Sequence, residues 1–155
     1  MNLAYRENRA LWSQDHHPGG FNWIDANDSN NNVITFLRFG DDGSIMACLF
    51  NFSGIQHDHY RVGLPAAGFW HEVLNTDSTF YYGSGGGNLG GVTTEDVSWH
   101  DRPYSAEVTL PPIPASGCGT KANRSSTRKG GCSYSSYETA PTPFVSFSLL
   151  YHAIR

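Results

Sequence analysis

Residues 33 to 64 read VITFLRFGDDGSIMACLFNFSGIQHDHYRVGL, and this stretch decides the fold. VITFLRF (33–39), IMACLFNFS (45–53) and HYRVGL (59–64) are short runs rich in β-branched and aromatic residues. Such side chains suit a pleated, half-buried surface. The first two runs meet through Asp41-Asp42-Gly43, a turn sequence that favours a hairpin because Gly accepts the positive φ that the reversal needs.

The same pattern extends in both directions. Upstream lies FNWID (21–25), followed by the polar turn of residues 25–32; downstream, after the turn of residues 65–68, come FWHEVLN (69–75), TFYY (79–82) and SAEVTL (105–110). About seven short strands with regular turns predict an all-β, antiparallel β-sandwich. Residues 2–12 are good helix formers, with Leu3, Ala10 and Leu11 on one face, so a short N-terminal helix is expected, stopped by Pro18-Gly19-Gly20. Trp23, Phe36, Phe39, Phe50 and Phe52 alternate along strands and are expected mostly in the core.

Charge divides the chain. Residues 1–112 hold five Arg, no Lys and thirteen Asp or Glu, whereas 113–155 hold five basic residues and one acid, within a net charge of −4. An acidic body opposes nucleic-acid binding, which needs clustered cations. No apolar run approaches the roughly 20 residues of a membrane helix, and no signal peptide is evident; a soluble, cytoplasmic protein without membrane contact is expected. Residues 113–143, rich in Ser, Gly and Thr, bury too little to offset the entropy of ordering and read as a disordered tail. FVSFSLLYH (144–152) could add one strand. The organisation expected is thus 1–18 helix and linker, 19–112 the all-β domain, and 113–155 an atypical tail.

Chemistry is sparse. Asp25, Asp28, Asp41, Asp42 and Asp58 fall in turns, where Asp serves local backbone hydrogen bonding, and Glu72 and Glu107 are expected to face solvent. His57-x-His59 could place two imidazoles on one face, with Cys48 and His100 as the further ligands zinc would want, but exposed structural histidines are the expected reading and no metal is expected. Residues 85–90 satisfy GxGxxG without the strand and helix that a dinucleotide site requires, and read as a tightly turning loop. Cys48, Cys118 and Cys132 form no paired framework and are expected to be reduced. Neither a catalytic residue nor a cofactor is indicated. Trp70, Trp99, Tyr81, Tyr82 and Tyr104 are candidates to stack on a sugar ring.

NLAYREN (2–8), the run 10–40 containing FNWIDANDSNNNV, HYRVGLP (59–65), WHEVLNTDS (70–78) and YGSGGGNLGG (82–91) closely resemble the carboxy-terminal region of bacterial, particularly actinobacterial, 1,4-α-glucan branching enzymes, as far as about Pro112. The resemblance implies a glycogen-building enzyme that transfers α-1,4-glucan chains to α-1,6 positions. Its catalytic Asp and Glu belong to a (β/α)₈ barrel whose motifs do not occur here. The barrel is the implied partner, and α-glucan a further one. Leu3, Leu11 and Trp12 would face it, and NTDSTFYYGSGGGNLGG (75–91) would be structural. After LPPI (110–113) the sequence departs from the family, whose members finish on a short apolar strand. An altered reading frame, with an internal start at Met1, would account for both the tail and the length. Losing that strand would cost on the order of 3 to 9 kcal/mol unless 144–152 replaced it. Three readings stay open: a non-catalytic module of the branching enzyme, a stand-alone glucan-binding module, and a nonfunctional remnant of a damaged gene.

Overall fold

The computed structural model describes residues 2–112 and 146–152. Eight strands, β1 (Phe21–Asp28), β2 (Val33–Phe39), β3 (Ile45–Asn51), β4 (His57–Leu64), β5 (Phe69–Asn75), β6 (Gly91–Thr93), β7 (Tyr104–Leu110) and β8 (Ser146–His152), form two antiparallel sheets. The larger has the order β1-β2-β3-β8-β5-β6 and the smaller pairs β4 with β7. The expected sandwich is therefore present.

The core follows from alternation. Val33 and Leu37 of β2, Ile45, Ala47 and Leu49 of β3, and Leu150 of β8 point inward from the large sheet. They meet Val62 and Leu64 of β4 and Ala106, Val108 and Leu110 of β7. The β2–β3 hairpin is closed by Gly40 N–H donating to the Ser44 carbonyl (2.8 Å), by the Asp42 carboxylate accepting from Ser44 N–H (3.0 Å) and Oγ–H (2.6 Å), and by Gly43 at φ 81°.

IMACLF in β3 lacks clean alternation because the strand is covered on both sides. Met46 and Cys48 face outward into a second cluster with Ala10, Leu74 and Leu149. From the N-terminal segment the cover comes from Ala10 and Leu11 of a 3₁₀ turn at Arg9–Leu11, which follows α1 (Asn2–Glu7). The single helix expected over 2–12 is thus broken at Asn8, which is extended (φ −109°, ψ 98°) and whose Nδ2 donates to the Ala4 carbonyl (2.7 Å). That side chain takes the acceptor that a helical N–H at position 8 would have used. Arg9 then clamps the segment to the hairpin through Asp41 (2.8 and 2.5 Å).

Two further elements differ from expectation. TFYY is no strand: Thr79–Tyr81 forms a 3₁₀ turn, capped by the Ser78 hydroxyl accepting from Phe80 N–H (3.3 Å). The short β6 carries too few apolar residues to be read from sequence. The disorder expected for 113–143 lies outside the described residues.

β8 is the extra strand that FVSFSLLYH (144–152) could add. Setting the domain's end near Pro112 separates residues 146–152 from it, yet they lie inside the large sheet, in register with β3 from Ile45↔His152 to Asn51↔Ser146 and with β5 from His71↔Tyr151 to Asn75↔Ser148. One sequence detail fits the slot poorly. Ser148 is fully buried and its hydroxyl has no hydrogen-bond partner. Ser148→Ala is therefore expected to stabilise the protein by about 1 kcal/mol, because it removes the desolvation cost of an unmade bond. Urea denaturation should show a raised midpoint at unchanged slope; a lowered midpoint would mean that the hydroxyl is satisfied.

Candidate functional site

Potential binding features fall on two surfaces that meet at Leu74. The first is the outer face of the large sheet. Phe36 shares strand parity with Arg38 and so points away from the core, and a row of rings runs through Trp23, Phe21, Phe36, Phe50 and Phe52, with successive centroids 4.9, 5.1, 5.6 and 6.3 Å apart. Trp23 is half exposed, as are Phe52 and, on the N-terminal segment, Tyr5. The expectation that these aromatics fill the core is corrected: only Phe39 packs against the interior cluster, because odd positions of β2 face inward and Phe36 is even. Leu3 and Trp12 are exposed, as expected for a docking face, while Leu11 is half-buried against the second cluster. A shallow apolar groove of about 270 Å³ remains beside α1, lined by Tyr5, Leu11, Phe36, Phe50 and Leu149.

The second surface is the loop between β5 and β6. Asp77 is almost fully buried and organises it, accepting from Ser84 N–H (3.0 Å), Ser84 Oγ–H (2.5 Å) and Gly86 N–H (3.0 Å). Asn75 accepts from Asp77 N–H (2.9 Å) and donates to the Gly86 carbonyl (2.7 Å). Asn88 mimics a strand for β7, accepting from Thr109 N–H (2.7 Å) and donating to the Thr109 carbonyl (3.2 Å), while its Nδ2 also reaches Glu72 (2.9 Å). The glycines are steric necessities: a Cβ on Gly83 would lie 2.1 Å from the Asp77 carbonyl oxygen, and one on Gly87 2.0 Å from Asn75 Nδ2. Glu72, expected to face solvent, is half-buried and holds this loop. A cleft of about 380 Å³ opens beside it, lined in part by Glu72, Asn75, Ser78, Thr79, Tyr81 and Leu89.

The five candidate sugar-stacking residues separate accordingly. Trp70 is fully buried, donating Nε1–H to the Ala66 carbonyl (3.2 Å) and stacking on His152 (5.2 Å), so it cannot offer a face to a ligand. Tyr81 and Tyr82 adjoin on the 3₁₀ turn, both exposed. Trp99 is exposed in the loop before β7, held by reciprocal backbone bonds with Arg102, and Tyr104 is half-buried at the start of β7. No ring contact links these two groups among the described residues.

The remaining polar groups are occupied by structure. Asp28 accepts from Asn31 and from Tyr60 Oη–H (2.9 Å); partial burial opposes its ionisation, but the hydrogen bonds outweigh it and hold its pKa below the usual value. Asp25 accepts from Asn27 N–H (2.8 Å) and Asp58 from the Gln56 side-chain amide (2.7 Å), but both, expected in turns, lie instead within β1 and β4. A bulge with His59 at φ 55° separates the two histidines: His57 contacts Ser53 (3.2 Å) and His59 contacts Glu107 (2.9 Å). Glu107, also expected to face solvent, is exposed and lies in an ion pair with Arg61 (2.7 Å). No group of three metal-ligating side chains occurs among the described residues. Burial pushes the Cys48 thiol up to about 12, so it is no nucleophile at neutral pH.

An antiparallel sandwich with a Gly-rich loop held by buried Asp77 and half-buried Asn75 and Asn88, and an aromatic row on one outer face, defines an all-β domain. The chain belongs to the family of the alpha amylase C-terminal all-beta domain, whose model matches residues 23–117. It is 61% identical over 115 residues to the 1,4-alpha-glucan branching enzyme GlgB of Mycobacterium sp. (strain JLS), covering 74% of this chain and 15% of that protein. The same-named proteins of Rhodococcus jostii (strain RHA1) and Mycobacterium tuberculosis (strain ATCC 25177 / H37Ra) are 64% identical over 111 residues and 60% over 115, which is 72% and 74% of this chain. The chain spans only about 15% of the length of these curated relatives (15% and 16% of the latter two). β8 lies outside the span that matches the family.

Proposed function

We propose that the chain acts as the carboxy-terminal β-domain of a 1,4-α-glucan branching enzyme, packing through the outer face of its large sheet against the catalytic (β/α)₈ barrel in the cytoplasm and catalysing nothing alone. The observation that carries this reading is the partly exposed aromatic row from Trp23 to Phe52, with Tyr5 beside it across the groove, because contiguous apolar surface of this kind marks an interaction site. Identity of about 60% to one end of much longer branching enzymes supports the choice of partner.

The test uses the purified chain with the remainder of the M. tuberculosis relative, truncated before this domain. The chain alone should leave amylose–iodine staining unchanged. Mixed with the truncated relative it should co-elute, and Trp23→Glu should abolish co-elution while leaving the melting transition in place, because Trp23 is half exposed. Branching by the chain alone, or a mixture that never associates, overturns the proposal.

A further inference from the structure

The tip of the β5–β6 loop holds two residues in backbone conformations that their side chains disfavour. Tyr82 and Leu89 both occupy the left-handed region, at φ 64° and 51°, where a side chain other than Gly or Asn is strained. Both side chains are essentially fully exposed, and Phe80 beside them is 82% exposed. Phe80, Tyr82 and Leu89 therefore project from one loop and bury little, with Tyr81, 41% exposed, beside them. Exposed apolar side chains held on a fixed backbone, with Tyr82 kept in the left-handed region, mark a site rather than a core.

The loop is also rigid from beneath. Asp77, Asn75, Asn88 and Glu72 hold its backbone from buried or half-buried positions, so the aromatic tip is placed before any ligand arrives and little entropy is lost on binding. Next to the tip lies the 380 Å³ cleft, whose wall mixes apolar Tyr81, Leu89 and Leu74 with the carboxylate of Glu72, the amide of Asn75 and the hydroxyls of Ser78 and Thr79. Alternating apolar and hydrogen-bonding surface is what a pyranose presents: C–H faces that pack on rings and hydroxyl edges that seek carboxylates, amides and hydroxyls. Neither a purely apolar segment nor a phosphorylated ligand suits a wall that contains a carboxylate and no cation.

We infer that the Phe80–Tyr82 tip and the cleft lined by Glu72, Ser78, Thr79 and Leu89 form a carbohydrate-binding site that holds an α-1,4-glucan chain. The site meets the docking groove at Leu74, which lines both, and it excludes Trp70. The choice of an α-glucan over other sugars rests on the preceding reading, that the chain serves a branching enzyme.

The conformation supplies its own control. Tyr82→Gly removes the ring and also relieves the left-handed strain, so the protein should melt at the same or a higher temperature while binding falls. The full chain should be retarded in a native gel containing glycogen, and maltoheptaose should shift amide resonances of residues 72–91 in a heteronuclear NMR titration, with cellohexaose much weaker. Tyr82→Gly should weaken retention and titration by about three- to tenfold, the size of one aromatic contact. Loss of binding in Trp99→Ala but not in Tyr82→Gly would move the site to the β7 loop and overturn this assignment. No response to maltoheptaose at millimolar concentration overturns it as well. If Tyr82→Gly instead loses co-elution with the truncated relative and leaves glycogen retention intact, the tip is a protein contact and the glucan site is refuted. Failure of the glucan tests with co-elution intact sinks this inference alone; failure of co-elution with glucan binding intact sinks the preceding reading.

Discussion

A chain ending at Pro112 is expected to lose the cooperative unfolding transition of the full protein. β8 hydrogen-bonds to β3 on one side and β5 on the other, so its removal leaves β1-β2-β3 and β5-β6 as separate ribbons, each with an open edge. Isolated two- and three-stranded pieces are marginal in water. The apolar loss alone, from buried Leu149 and Leu150, is about 3 to 6 kcal/mol, and most domains have only about 5 to 15 in total. Circular dichroism should show a broad, non-sigmoidal melt, and amide resonances should collapse toward random-coil positions. A synthetic peptide of residues 144–152, added in excess, should restore the transition by pairing in the vacated slot. A truncated chain that melts cooperatively within about 5 °C of the full protein would show that β8 contributes less than about 1 kcal/mol, and would refute its place in the sheet.

Trp70→Ala should be the most damaging point substitution in the sandwich. The indole is fully buried in the main cluster, is hydrogen-bonded to Ala66 and stacks on His152 of β8, so its loss opens a cavity and loosens the neighbouring strand together. A cost of about 3 to 5 kcal/mol is expected, and about 1 to 2 for Trp70→Phe, which keeps a ring but leaves the Ala66 carbonyl without its donor. Urea titration measures both; a change below 1 kcal/mol in the alanine variant contradicts the packing described. Any loss of glucan retention in Trp70→Ala reports unfolding rather than a lost contact.

Much of the fold was legible because its sequence is locally consistent. The bounds of β2 and β5 fall where the runs VITFLRF and FWHEVLN begin and end, and Asp42-Gly43 marks the hairpin. The failures have separate causes. TFYY has strand composition, but Ser78 and the buried Asp77 bind the backbone on either side and curl it. The helix over 2–12 fails at one side chain, that of Asn8. Alternation places Phe36 and Phe39 both in the core, although they differ in parity and Phe36 shares the outer face with Arg38. β8 was separable from the domain only because its partners in the sheet are about a hundred and about seventy-five residues upstream, a distance that no local pattern reports. At the candidate site, the aromatic tip was visible as Tyr81 and Tyr82, but the strain and the supporting amides were not, since positive φ at Tyr82 is set by the bonds around Asp77 and Gly83. Burial of Trp70 was equally hidden: a strand residue flanked by Phe69 and His71 gives no sign of which side is covered.

The position of β8 also sets the order of events as the chain is made. All residues of β1 to β7 emerge from the ribosome before it, and β3 and β5 must keep their inner edges unpaired until His152 is free. At about 5 to 20 residues per second, the 40 residues from Pro112 to His152 extend that interval by about 2 to 8 s. During it, IMACLF and WHEVL are two apolar strand edges within reach of other nascent chains, which is when association between copies is most favoured. Yield in the cell should therefore depend on the speed of translation through residues 113–145 and on the supply of chaperones that shield open strand edges, more than on the stability of the finished sandwich.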